Sequence, residues 1–215
     1  EVLSGGFSLT KARAAGYRAE TMRALNKTSF LMRQAGYSCS DMYSGGYTTE
    51  EILNAGYSTS ELKSAGYVLC NLVRDHYTAV DLHYGGYTAG ELKACGYTAQ
   101  ELYHGGYSAK ECHSTSNFTP TNLLQGGYCD YDIIHAGYRC NELYFAHIDA
   151  KTIKNMNVYT NKQIMTSGFS AMELKNAGFS ASEVRSAGFT AKDMKHGGFT
   201  LGEMVEVKLW LQEIP

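Results

Sequence analysis

Tyr57-Ser58-Thr59-Ser60-Glu61-Leu62-Lys63-Ser64-Ala65-Gly66 is one complete ten-residue sentence. Ser58 and Glu61 have the S-x-x-E spacing of a capping box. The hydroxyl accepts from the N–H at Glu61, and the carboxylate accepts from the N–H of Ser58. Tyr57 precedes the cap and Leu62 is the fourth helical residue, the pair that forms a hydrophobic staple. Ala65-Gly66 supplies the stop, because glycine takes the left-handed conformation that ends a helix. One sentence therefore encodes a helix of about two turns with its own start, staple and stop.

The sentence recurs with starts at 7, then every ten residues to 107, then at 118, 128, 138, 148 and 159, and every ten to 199. Eighteen of these twenty starts are Tyr or Phe, Lys27 and Ile148 being the exceptions. Fifteen of the following residues are Ser or Thr, so most units carry their own cap. Thirteen of the box partners are Asp or Glu, and the staple position is aliphatic or Met everywhere but Ala12 and Cys112. The substitutes for the terminal glycine include Asn26, His76, Asn117 and His147, residue types that tolerate positive φ. Pro120 falls directly after the cap Thr119, the helical position that welcomes proline. A β-solenoid would alternate β-branched residues, whereas the body of this unit is Ala, Glu, Leu and Lys, all good helix formers.

Seven-residue helices do not stand alone in water. Stability must come from stacking, with the aromatic and leucine columns as a continuous core. The fold class expected is all-α: a superhelical α-solenoid of about twenty short helices, one per repeat, over residues 1–202. Glu203 to Leu211 runs on without a glycine stop, so a longer helix over 203–215 is expected to cap the last layer. The period slips by one residue before Phe118 and before Tyr159, and 148–159 is the expected seam between sub-arrays. The chain begins in mid-repeat at Glu1, which implies an upstream part or a processed start.

Net charge is −2, but residues 1–35 carry six Lys/Arg against two acids and residues 36–150 carry five against thirteen. An acidic middle argues against a nucleic-acid track. The six cysteines occupy five different repeat positions, which reads as sporadic replacement in a reducing compartment, cytoplasm or organelle interior. No segment is long and apolar enough to span a membrane. Seven histidines show no ligand spacing, the Gly-Gly pairs recur as helix stops, and no nucleophile–base set appears. No catalytic, cofactor-binding or metal residues are expected.

Repeat arrays act through the positions that vary. At 100° per residue, the residue before the acid and the residue two after the leucine point outward. Most are polar. The departures, Phe30, Val80 with Tyr84, Tyr131 with His135, and Phe145, are candidate partner contacts. The residue one after the leucine is a flank, basic toward the ends (Arg23, Arg33, Lys175) and often apolar between. Tyr144 is the flank candidate.

Ser170-Ala171-Met172-Glu173-Leu174-Lys175-Asn176-Ala177-Gly178-Phe179 and the unit that follows it resemble the A-G-[FY]-[ST]-A-x-E-L-K-x decapeptide arrays of protists, algae and some microbes. The resemblance covers residues 5–204. It implies a non-enzymatic scaffold that meets other proteins, and it fits an accessory subunit of a larger organellar assembly. A structural spacer or self-assembling rod is the alternative, and a surface metal- or ligand-binding array a third.

Overall fold

The computed structural model describes residues 8–67, 70 and 77–206. Every regular element among them is a short helix, and no strand occurs among them. The chain divides into two compact units, Glu1–Tyr107 and Ser108–Pro215. The first holds α1 (Leu9–Ala14), α2 (Ala19–Ala24), α3 (Ser29–Gln34), α4 (Cys39–Ser44), α5 (Thr49–Asn54), α6 (Thr59–Ala65), α7 (Ala79–Tyr84), α8 (Ala89–Ala94) and α9 (Ala99–His104). The second holds α10 (Ala109–Ser116), α11 (Pro120–Gln125), α12 (Asp130–His135), α13 (Cys140–Phe145), α14 (Ala150–Asn155), α15 (Asn161–Met165), α16 (Ala171–Asn176), α17 (Ala181–Ser186), α18 (Ala191–His196) and α19 (Leu201–Val205). The all-α repeat array expected from the sequence is the fold observed.

The local signals act as their chemistry dictates. Ser58 Oγ accepts from the Glu61 N–H at 3.3 Å, and the Glu61 carboxylate accepts from the Ser58 N–H at 2.7 Å. Reciprocal Ser/Thr boxes of this kind start α4 to α11 and α15 to α19. Pro120 is the first residue of α11, after the cap Thr119. Asn26, Asn117 and His147 take φ of 56°, 50° and 63°, so the expected glycine substitutes end their helices in the left-handed region. His76 lies outside the described residues.

The stop is a Schellman motif, and it reuses the aromatic residue. The Tyr67 N–H donates to the Leu62 carbonyl at 3.1 Å, while the Gly66 N–H donates to Lys63 at 3.0 Å. The same pair of bonds ends helix after helix, from Tyr37 to Met32 and from Phe199 to Met194. The aromatic thus closes one helix with its N–H and stands immediately before the cap of the next.

Packing joins each repeat to the second one along. α2 packs on α4, α3 on α5, α4 on α6, α11 on α13 and α17 on α19. The staple residues Met22, Met32, Met42, Ile52, Leu62, Leu102, Leu123, Leu143 and Leu174 are wholly buried between these layers. Tyrosine hydroxyls tie the layers through a ladder with a 20-residue step. Tyr57 donates to the Tyr37 carbonyl at 2.6 Å, Tyr77 to Tyr57 at 3.1 Å, Tyr97 to Tyr77 at 3.1 Å and Tyr107 to Tyr87 at 2.7 Å. Tyr138 donates in the same way to Phe118. Burial pushes the Tyr57 hydroxyl up to about 12, so it remains a neutral donor at physiological pH. Layers approach closely where small residues meet: a Cβ on Gly45 would lie 2.8 Å from the Ala19 Cβ, and one on Gly85 2.6 Å from the Thr59 Cβ.

The extra residue before Phe118 is absorbed by lengthening α10 to eight residues. The division between the compact units falls at Tyr107/Ser108, beside this slip, whereas 148–159 lies within the second unit and contains α14. α19 ends at Val205, and residues 207–215 of the expected capping helix lie outside the described residues.

Two outcomes follow from the ladder and the caps. Tyr57→Phe removes a satisfied buried bond and is expected to cost about 1 kcal/mol in urea denaturation. Tyr87→Phe is expected to be neutral or stabilising, because the Tyr87 hydroxyl is buried without a partner. The second outcome concerns acid. The Ser58 amide and hydroxyl hold the Glu61 carboxyl below its ordinary value, the Thr78 hydroxyl and amide do the same at Asp81, and the Thr200 amide with Lys175 lowers Glu203 to about 2. These folded values lie below the unfolded ones. The contribution of the boxes is therefore complete above the unfolded carboxylate range of about 4 and drains as pH falls through the folded values. Helicity followed by circular dichroism between about pH 5 and pH 2 should show that loss; a flat profile would mean the boxes contribute nothing.

Candidate interaction surface

Many flank residues, one after each staple residue, make contacts inside the array. Lys63 Nζ lies 4.8 Å from the Tyr87 ring centroid, donates to the Gly86 carbonyl at 2.6 Å and pairs with Glu91 at 2.7 Å. Lys175 repeats the arrangement with the Phe199 ring at 4.9 Å, the Gly198 carbonyl at 2.6 Å and Glu203 at 2.9 Å. Arg23 stands over Tyr47, Arg33 over Tyr57, and Lys154 over Phe179 at 4.0 Å. Lys63, Lys175, Lys154 and Arg33 each cover an aromatic face and satisfy a helix-terminal carbonyl. Where the flank is a ring it packs on the ring two or three helices along: His83 on Tyr107 at 4.2 Å, His113 on Tyr138 at 4.0 Å, and Tyr43 edge-on to Tyr67 at 4.7 Å. Tyr144 belongs to this column. It is half-buried and meets the Phe169 ring edge-on at 5.0 Å.

The outward positions behave differently. In the first unit Phe30, Val80 and Tyr84 are exposed, Tyr84 to 88%. Val80 and Tyr84 lie one turn apart on α7, as the spacing requires. In the second unit Tyr131 and Phe145 are exposed, Phe145 to 70%. His135 is also exposed; its Nδ1 lies 2.8 Å from the Tyr131 carbonyl, and its ring packs at 4.2 Å on the Tyr131 ring. Phe145 and Tyr144 lie side by side, with ring centroids 5.4 Å apart. The outward candidates are therefore solvent-facing side chains, three on the first compact unit and three on the second.

Leu31 and Met172 are exposed as well and were not among the candidates. Met172 occupies the same outward position as Phe30 and was legible there. Leu31 replaces the capping-box acid of its repeat, which removes the carboxylate that elsewhere accepts from the cap N–H, and Thr28 makes no side-chain cap bond either, so the missing acid is the signal.

Among the described residues no group of His, Cys, Asp and Glu is arranged to hold a metal ion, and no helix is long and apolar enough to cross a membrane. Cysteine usage departs from the expectation of isolated thiols. Cys39, Cys112 and Cys140 are free and buried, and Cys129 is free and exposed, but Cys70 and Cys95 form a disulfide. They occupy different repeat positions, and the stagger between layers brings those positions together.

The model of the decapeptide repeat region matches residues 46–116, 86–159 and 158–214. The chain belongs to this decapeptide-repeat family. The overlapping matches run through both compact units and across both one-residue slips, in agreement with the repeat-by-repeat caps. No curated protein and no solved structure matches the chain.

The flank column yields a stability prediction. Lys154→Ala removes a ring contact and a 2.7 Å bond to the Gly178 carbonyl. It is expected to cost about 1 kcal/mol, against less than about 0.5 kcal/mol for the exposed Lys151→Ala. Urea denaturation of the two variants checks this, and equal effects would remove the flank from the architecture.

Proposed function

We propose that this chain is a non-enzymatic scaffold that holds protein partners through the outward aromatic groups of its two units. The supporting observation is a division of labour among side chains. Caps, staples, stops and flanks are mostly spent on the array, whereas Tyr84 and Phe145 stand 88% and 70% exposed at positions where other repeats carry small or polar residues. Such residues gain nothing from the fold and are suited to anchor a partner. The ionisable groups favour the same reading. Among the described residues most acids serve capping boxes and the flank cations cover rings, so these groups work within the array itself. The acidic middle of the sequence disfavours nucleic acid as the partner and suits a protein surface with basic character.

The test is purification from the native source under mild conditions, followed by identification of what remains bound. A stoichiometric protein partner is expected. Val80→Ser with Tyr84→Ser, or Tyr131→Ser with Phe145→Ser, should release it without changing helicity. Purification of the chain alone as a monomer would overturn the scaffold reading. Concentration-dependent filaments would replace it with a self-stacking spacer.

A further inference from the structure

The ninth residue of a repeat lies against the peptide between the third and fourth residues of the repeat two before it. A Cβ on Gly45 would sit 2.8 Å from Ala19 Cβ and 3.0 Å from Glu20 N. One on Gly197 would sit 2.7 Å from Ala171 Cβ and 2.8 Å from Met172 N, and one on Gly105 2.6 Å from Ala79 Cβ. The approach recurs in both units and is normally filled by glycine or alanine. Cys95 occupies this ninth position, and Cys70, 25 residues earlier, is the fourth residue of the repeat it faces. Their Cα atoms are 4.3 Å apart and the two form a disulfide. The pairing is thus a property of the register that recurs along the array.

Other signals weaken at the same place. In sequence, residues 67–76 carry Val68 where a cap belongs, Asn71 where the box acid belongs and His76 where the glycine belongs. The tyrosine ladder skips a rung: the Tyr87 hydroxyl is buried and has no partner, although Tyr67 lies 20 residues before it. A cavity of about 380 Å³ adjoins it, lined by Tyr67, Leu82, Tyr87 and Leu92 with both cysteines. A covalent link spans the point where the hydrogen-bonded ladder is interrupted.

We propose that Cys70 and Cys95 are a reversible thiol-oxidation site, whose co-substrate is a small disulfide of the glutathione type and whose redox state sets the rigidity of the first unit. One cysteine thiolate attacks the small disulfide, forms a mixed disulfide and expels one thiol. The second cysteine attacks the mixed disulfide and expels the other. The protein loses two electrons and two protons, and the small disulfide is reduced to two thiols. Both cysteines are partly exposed, so the reagent can reach them. Cys39, Cys112 and Cys140 are buried, and burial raises their thiols, Cys39 to about 11, which keeps them inert. Exposed Cys129 belongs to the other compact unit and serves as an internal control.

The full chain is equilibrated in glutathione buffers from fully reduced to fully oxidised, alkylated and analysed by peptide mass, and amide exchange is recorded at both extremes. Cys70 and Cys95 are expected to titrate together as one two-electron couple, while Cys129 takes up a single glutathione. Exchange in α7 and α8 is expected to quicken about tenfold on reduction. The Cys70→Ser/Cys95→Ser variant should be fast in both buffers, and because reduced wild type makes the same comparison, the result does not depend on that variant folding. Separate glutathione adducts on Cys70 and Cys95 with no bridge would overturn the proposal, as would a bridge whose reduction leaves α7 and α8 exchange unchanged.

Discussion

The left-handed residue at the end of each repeat is the constraint on which everything else depends. It turns the chain so that the following aromatic N–H can reach back to the staple carbonyl, as Tyr67 does to Leu62 at 3.1 Å. That bond fixes where the next cap begins. It also leaves the aromatic carbonyl available to the tyrosine hydroxyl 20 residues on, as in the bond from Tyr77 to Tyr57. Helix termination, helix initiation and layer stacking therefore share one residue. A helix of six residues, far too short to persist alone, survives because neither of its ends is loose.

Much of this was legible in the sequence, because caps, boxes and stops are local chemistry. Ser58 with Glu61, Pro120 after Thr119, and Asn26, Asn117 and His147 as stops could each be assigned from residue type and spacing. What was not legible depended on the stagger between layers. Lys63 looks like a solvated surface cation until one knows that Tyr87 and Glu91 lie above it. Tyr144 sits half-buried against Phe169 for the same reason, while Phe145, one residue on, faces solvent. Cys70 and Cys95 look unrelated by repeat position and become neighbours only through the stagger. The division falls at Tyr107/Ser108, beside the added residue in α10, whereas the sequence pointed to 148–159 as the seam.

The proposed scaffold follows from subtraction. An array that uses most of its repeat positions for its own cohesion can change only the outward ones freely, and those are where Val80, Tyr84, Tyr131 and Phe145 appear. The backbone beneath them is held by boxes, ring contacts and carbonyl bonds from other repeats. A contact surface built this way is presented on fixed helices. The backbone that carries its groups is set before any partner arrives, which lowers the entropy cost of association.

Because each repeat meets its neighbours by the same rules, the fold has no privileged starting point in the gene. A duplication or deletion of thirty nucleotides, wherever its breakpoints fall within a repeat, restores an intact cap, staple and stop at the junction. The new helix finds the same neighbours at the same offsets. Array length can therefore change by unequal recombination without passing through an unfolded ancestor, and the extra residue housed in α10 shows that even an insertion out of step can be carried at the end of a helix.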